Sequence, residues 1–242
     1  MKKLFIIFAL AFACASASAQ EMTSKKGFLI LPETGDWSIG FDAVPVLEYF
    51  GNLANGKEHN TISANWTDGV HTITGKIIRP NDIAWRGSLR IGFGSFSFNQ
   101  LVPNAATPAL LVNDETKISY DTIALSFGIQ KYRGNGRVRG YYGAELGVLL
   151  TGLDTTFTYG NSISSYNTSI VRVTEDKAGS GFGIGLRGFI GVEYFFAPKM
   201  SIGAEYGWGF ALVSIGEGKQ TTHSWDGTTE TTTTSKSGSA SA

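Results

Sequence analysis

The chain reads as an all-β protein, an antiparallel up-and-down transmembrane β-barrel of the eight-stranded type in which seven strands are clearly visible. Three observations predict it. From Gly181 to Phe210, apolar residues recur at nearly every even position against small or charged residues at odd ones, the period of two of a long two-faced strand. Short and long connections alternate strictly along the chain. With the apolar parity turned outward, the ionisable residues face the lumen among small glycines, the reverse of a soluble barrel.

The elements follow in order. Residues 1–19 have the form of a secretory signal: Lys2 and Lys3, an apolar stretch from Leu4 to Ala13, and Ala17-Ser18-Ala19 before Gln20. Ala11 stands where a lipobox ahead of Cys14 would carry Leu, so lipidation is disfavoured, and cleavage after Ala19 leaves a mature chain without cysteine. Residues 20–36 form a periplasmic lead-in, 37–211 the barrel, and 212–242 a low-complexity external loop or tail.

The expected strands are Trp37–Pro45, His71–Arg79, Asp82–Ser95, Ile118–Arg133, Gly136–Thr151, Gly181–Phe196 and Lys199–Ala211. Three pairs meet at tight turns, Pro80-Asn81, Gly134-Asn135 and Ala197-Pro198, whose residues suit turn backbones. The other connections, Gly51–Val70, Phe96–Lys117 and Gly152–Ser180, are long and polar, as is everything after Leu212. Short periplasmic turns and long external loops are the habit of outer-membrane barrels, and they place the N-terminus in the periplasm. No 3.6-residue period stands out. No apolar run after the leader approaches the roughly 20 residues of a helical span.

With the apolar parity outward, Asp42, Lys76, Arg86, Arg90, Glu145, Arg187, Glu193 and Glu205 face the lumen. Facing lipid, each Arg or Lys would cost roughly 2–4 kcal/mol at the midplane. Counting heights from the turns puts Glu145, Arg187 and Glu205 at similar depth on three consecutive strands. They are expected to form a lumenal Glu–Arg–Glu network, with Arg90 joining across the bore and the inward glycines making room. Trp37, Trp85, Tyr141, Tyr142, Tyr194 and Phe196 cluster toward the turns, and Phe93, Trp208 and Phe210 toward the loops, as interfacial girdles would.

Several patches resemble small outer-membrane β-barrel proteins of the Bacteroidetes type. They are Leu31-Pro32-Glu33-Thr34-Gly35-Asp36-Trp37-Ser38-Ile39-Gly40, Ile83-Ala84-Trp85-Arg86-Gly87, Tyr141-Tyr142-Gly143-Ala144-Glu145 and Gly191-Val192-Glu193-Tyr194-Phe195-Phe196-Ala197-Pro198-Lys199. The resemblance implies the fold of OmpA- and OmpX-type barrels of Gram-negative cells. Such barrels end on a strand closed by an aromatic residue, read by the barrel-insertion machinery, whereas this sequence ends on Ser241-Ala242. Either an eighth strand is missing from the chain, the preferred reading, or Lys26–Leu31 closes the ring.

Equal numbers of basic and acidic residues, 20 each, offer no footprint for nucleic acid. His59, His71 and His223 lie on or beside expected external loops, and three scattered histidines with many serines do not define a hydrolytic site. Asp114 and Glu115 lack a metal-loop pattern. The glycines of Gly179–Gly185 sit within a strand rather than between strand and helix, so they do not make a dinucleotide loop. Asn65-Trp66-Thr67 and Asn167-Thr168-Ser169 match a glycan acceptor pattern that carries little weight in a bacterial chain.

The expectation is a non-enzymatic barrel in the outer membrane without a cofactor. Its expected partners are outer-membrane lipid, lipopolysaccharide, the insertion machinery and a surface partner met through the external loops. A narrow pore for ions or small solutes is the alternative, and a lipid-modifying enzyme a further one.

Overall fold

In a computed structural model, residues 22–55, 69–165 and 169–241 are described. The leader at 1–19, His59, Asn65-Trp66-Thr67 and Asn167-Thr168 lie outside them. All seven expected strands form: β1 Trp37–Phe41, β2 Ile73–Arg79, β3 Ile83–Pro103, β4 Leu111–Arg133, β5 Val138–Thr158, β7 Gly181–Ala197 and β8 Met200–Ile215. They pair antiparallel in the order β1-β2-β3-β4-β5-β7-β8. The architecture is therefore all-β and up-and-down, and the described strands do not close into a ring.

The three tight turns fall where expected. Asn81, Asp82 and Gly134 take the left-handed backbone (φ 63°, 56° and 97°) that Asn, Asp and Gly tolerate best. Lys199 takes it too, at φ 56°. Its N–H donates to the Ile30 carbonyl at 2.9 Å, and its ammonium reaches Asp36 at 3.0 Å. The buried Ile30 and the Thr23–Leu29 bridge thus dock the lead-in at the turn end. This is where Lys26–Leu31 lies, rather than in the gap between β1 and β8.

Four expectations about extent are corrected. β1 stops at Phe41, and Val44–Ala54 is a helix, α1. Asp42 Oδ1 accepts the Val44 N–H at 3.0 Å, and Pro45 fits a first turn where its missing N–H costs nothing. The connection expected over Phe96–Lys117 is mostly strand, because β3 and β4 pair out to Pro103–Leu111. The one expected over Gly152–Ser180 contains the end of β5 and a further strand, β6 Ile170–Lys177. The tail from 212 is no loose loop. It completes β8 and then folds as β9 Lys219–Trp225, β10 Glu230–Lys236 and the two-residue β11 Ala240–Ser241. β6 joins the upper end of β5 and carries β9 and β10 beside it, while β11 pairs with the top of β8.

The sheet curls strongly. β3 and β8 stand four strand steps apart, about 19 Å in a flat sheet. Yet side chains of Arg86 on β3 and Glu205 on β8 meet at 3.1 Å. The curl makes one face concave, and the interior sits there near the turn end as a cluster of Ile78, Ala84, Tyr132, Tyr141 and Phe189. The opposite, convex face is apolar and open: Tyr206, Trp208, Phe210 and Leu212 of β8 are 65–71% exposed. No helix among the described residues is long and apolar enough to cross a membrane.

Candidate functional site

Strand register places the charges. Arg86 pairs with Gly128, Gly128 with Glu145, and Glu145 with Arg187, so one rung carries Arg86, Glu145 and Arg187 on the concave face. Arg187 Nη1 donates to Glu145 Oε1 at 2.8 Å, and its Nη2 lies 2.9 Å from Glu205 Oε1. The expected Glu–Arg–Glu arrangement is therefore present. Arg86, not Arg90, joins it from across the sheet. Its guanidinium forks onto both Glu205 oxygens, and its Nε lies 3.6 Å from Glu145 Oε2, an ion pair too long for a hydrogen bond.

Arg90 stands two pleat repeats higher and exposed, donating to Thr72 Oγ1 at 3.1 Å. Depth counted from the turns misses this because neighbouring strands are staggered. The network runs obliquely, linking Arg86 near the foot of β3 to Glu205, itself opposite Gly191. Asp42 also lies apart. It caps α1 and meets His71 Nδ1 at 3.5 Å.

Glu193 anchors a second cluster toward the turns. Lys76 Nζ approaches its Oε2 at 3.2 Å, the Tyr132 hydroxyl donates to the same oxygen at 2.9 Å, and Ser201 Oγ donates to Oε1 at 2.5 Å. Tyr141 donates to Glu205 Oε2 at 3.2 Å and joins the two clusters, with Lys76 over its ring at 5.4 Å. Tyr141 is thus an interior residue, 8% exposed, and not part of an outer girdle. Its odd position on β5, shared with Glu145, was the available signal. Trp37, Trp85, Tyr142, Tyr194 and Phe196 do lie on the open face, as do Phe93, Trp208 and Phe210.

Across the two clusters, three cations (Lys76, Arg86, Arg187) meet three carboxylates (Glu145, Glu193, Glu205). Burying charge is tolerable only when paired and hydrogen-bonded. Small neighbours make the pairing possible: a Cβ on Gly207 would stand 2.5 Å from the Arg187 guanidinium, and one on Gly128 2.6 Å from Glu145 Cβ. The arrangement neutralises and fills the interior.

No group of three metal-ligating side chains occurs among the described residues. His223 faces Glu230 at 3.2 Å on the β9–β10 hairpin, far along the chain from the His71–Asp42 pair. Asp114 accepts the Gly160 N–H at 2.9 Å. The glycines 181, 183 and 185 lie within β7, so no dinucleotide loop forms.

The convex face has sharp limits. On β4 its residues are Lys131, Ile129, Phe127, Leu125, Ile123 and then Asp121, with Ser119, Lys117 and Glu115 above. On β5 the same face runs from Tyr142 through Leu146, Val148 and Leu150 to Asp154. At the lower limit Arg79 lies over the Trp85 ring at 4.2 Å and Arg133 over the Tyr142 ring at 5.9 Å. Between the limits the convex positions of β4, β5, β7 and β8 carry no charge.

No protein-family model matches the chain, and no curated protein or solved structure does.

Proposed function

We propose that this chain is a small integral outer-membrane β-barrel with an ion-paired interior and a structural or surface-interaction role. One observation carries the reading: the charge-free apolar band on the convex face. From Lys131 to Asp121 is ten residues, about 34 Å along a strand and about 26 Å at a tilt near 40°. That height matches the apolar band of about 25 Å on such barrels, and aromatic residues mark both edges. An aromatic side chain covers about 150–250 Å², so Tyr206, Trp208 and Phe210, about two thirds exposed, leave on the order of 300 Å² open on one strand alone. A soluble monomer rarely exposes more than a few hundred Å² in its largest patch.

Open sheet edges are not tolerated in lipid. The reading therefore includes an eighth strand between β8 and β1. β11 supplies its first rungs, Ala240 opposite Ile215 and Ser241 opposite Ser214, and already runs antiparallel to β8 toward the turn end. The lead-in and tight turns face the periplasm, and the β3–β4 hairpin and the β6-β9-β10 sheet face outward. A lumen filled by paired side chains favours this role over a pore.

Expression of the chain, extended by its downstream codons where the gene supplies them, tests the reading. The expected product sediments with the outer membrane and migrates in SDS gels at different positions before and after boiling. Recovery in the soluble periplasmic fraction would refute it.

A further inference from the structure

Above the row of Phe93, Asp121 and Gly152 the two faces of the sheet exchange character. The outer face becomes polar, with Ser95, Ser119 and Asp154 followed by Ser97, Lys117 and Thr156. The inner face becomes apolar, with Tyr120 and Leu153, then Phe96 and Ile118, then Phe98 and Phe157.

At the top of this inner face lies a cavity with a definite chemistry. Phe98, Thr116 and Phe157 form one rung across β3, β4 and β5. Gln100 and Asp114 form the next, and Tyr159 follows just beyond β5. Aromatic residues thus stand on the two flanking strands, about 10 Å apart at the backbone, with Thr116 and Asp114 as the floor between them. The walls are set from behind: Phe96 meets Phe98 edge-on at 5.5 Å and 87°, and the Tyr159 hydroxyl donates to the Val173 carbonyl at 2.8 Å. Phe98 is nonetheless 60% exposed. Asp114 Oδ1 accepts the Gly160 N–H, while Oδ2 has no hydrogen bond among the described residues.

We propose that this trough binds a neutral saccharide. Aromatic faces carry negative quadrupole charge and attract the weakly positive C–H face of a pyranose ring. The Asp114 carboxylate and Gln100 amide accept hydroxyl protons, and the amide and Thr116 also donate. An apolar peptide would strand those polar groups, each at a desolvation cost. Asp114 and Glu115 both line the trough against one nearby cation, Arg172 over the Tyr159 ring at 4.7 Å, a balance that opposes a phosphorylated, anionic sugar. The proposal rests on the membrane reading only in placing the trough outside the cell.

The test is calorimetric titration of the full chain in detergent micelles. The probes are uncharged hexasaccharides of glucose, mannose and N-acetylglucosamine, a phosphorylated lipopolysaccharide core, and an uncharged apolar decapeptide. Saturable binding of at least one neutral hexasaccharide is expected, weakened about tenfold, or about 1.4 kcal/mol, by Phe98→Ala and by Asp114→Ala. Thr231→Ala, on β10, should leave it unchanged. Binding only of the core or the peptide, of none of the probes, or equally by Phe98→Ala and Asp114→Ala, overturns the proposal. Heat-modifiable migration is recorded for every protein. Its retention with failed binding overturns the saccharide site alone, and its absence in the parent chain overturns the membrane reading.

Discussion

Arg86 has the most heavily committed side chain of the interior. It is 6% exposed, forks onto Glu205, lies near Glu145 and stacks over the Phe189 ring at 4.5 Å. Arg187 meets the same two carboxylates but is more than a third exposed at its side chain, so solvent compensates part of its loss. Removing one partner of a buried pair costs about 3–5 kcal/mol, because the charge left behind stays desolvated. Arg86→Met should therefore lower the temperature of the heat-modifiable transition clearly, and by more than Arg187→Met. Adding Glu205→Gln to Arg86→Met should recover part of the loss, since the two positions are coupled. Equal midpoints for the parent and Arg86→Met would show that the interior pairs are solvated independently. At this scale the sequence was legible as far as parity: every interior charge expected on β2, β3, β5, β7 and β8 lies on the concave side. Which cation meets which carboxylate was not, because the stagger between strands moves partners along the chain, and Arg86 rather than Arg90 arrives at Glu145.

Among the elements, the β7–β8 turn depends on a contact distant in sequence. Lys199 holds a left-handed backbone unusual for its type, and its ammonium reaches both Asp36 and Glu33, at 3.0 and 3.5 Å. The Glu33 N–H and then the Lys199 ammonium hold the Asp36 carboxyl below its ordinary range, while Asp36 raises the Lys199 ammonium. The folded chain thus prefers the ionised carboxylate. The unfolded chain takes up the proton first as pH falls, so the stabilisation is present above about pH 4 and is lost below it. The pair is open to solvent, so the effect is modest. The midpoint difference between the parent and Asp36→Asn should be largest near neutral pH and should shrink below pH 4. A difference constant from pH 3 to 7 would contradict the clamp. Elements joined by Pro80-Asn81, Gly134-Asn135 and Ala197-Pro198 were legible because each turn carries its own backbone demand. The upper strands were hidden because the apolar parity changes sides near Asp121 and Asp154. The Thr-rich hairpin looked like low-complexity tail, although Thr is β-branched and suits strands. α1 has only eleven residues, too few for a helical period to stand out, and its signals were the Asp42 cap and Pro45.

Across the whole molecule, the sheet divides into a lower part that turns its apolar side outward and an upper part that turns it inward. Strand β4 crosses the boundary without interruption and carries both patterns on one chain. Its convex positions are Asn113, Glu115, Lys117, Ser119 and Asp121 above, and Ile123, Leu125, Phe127 and Ile129 below. The most direct measurement replaces each residue from Asn113 to Lys131 in turn by a spin-labelled cysteine in the chain reconstituted into vesicles. Collision with oxygen, which partitions into lipid, is compared with collision with a water-soluble nickel complex. Oxygen accessibility should peak at 123, 125, 127 and 129 with a period of two. Water accessibility should take over on the same parity from 121 upward. Oxygen peaks at the even positions, no period of two, or a lipid signal that continues through Lys117 and Glu115 would contradict this division of the sheet.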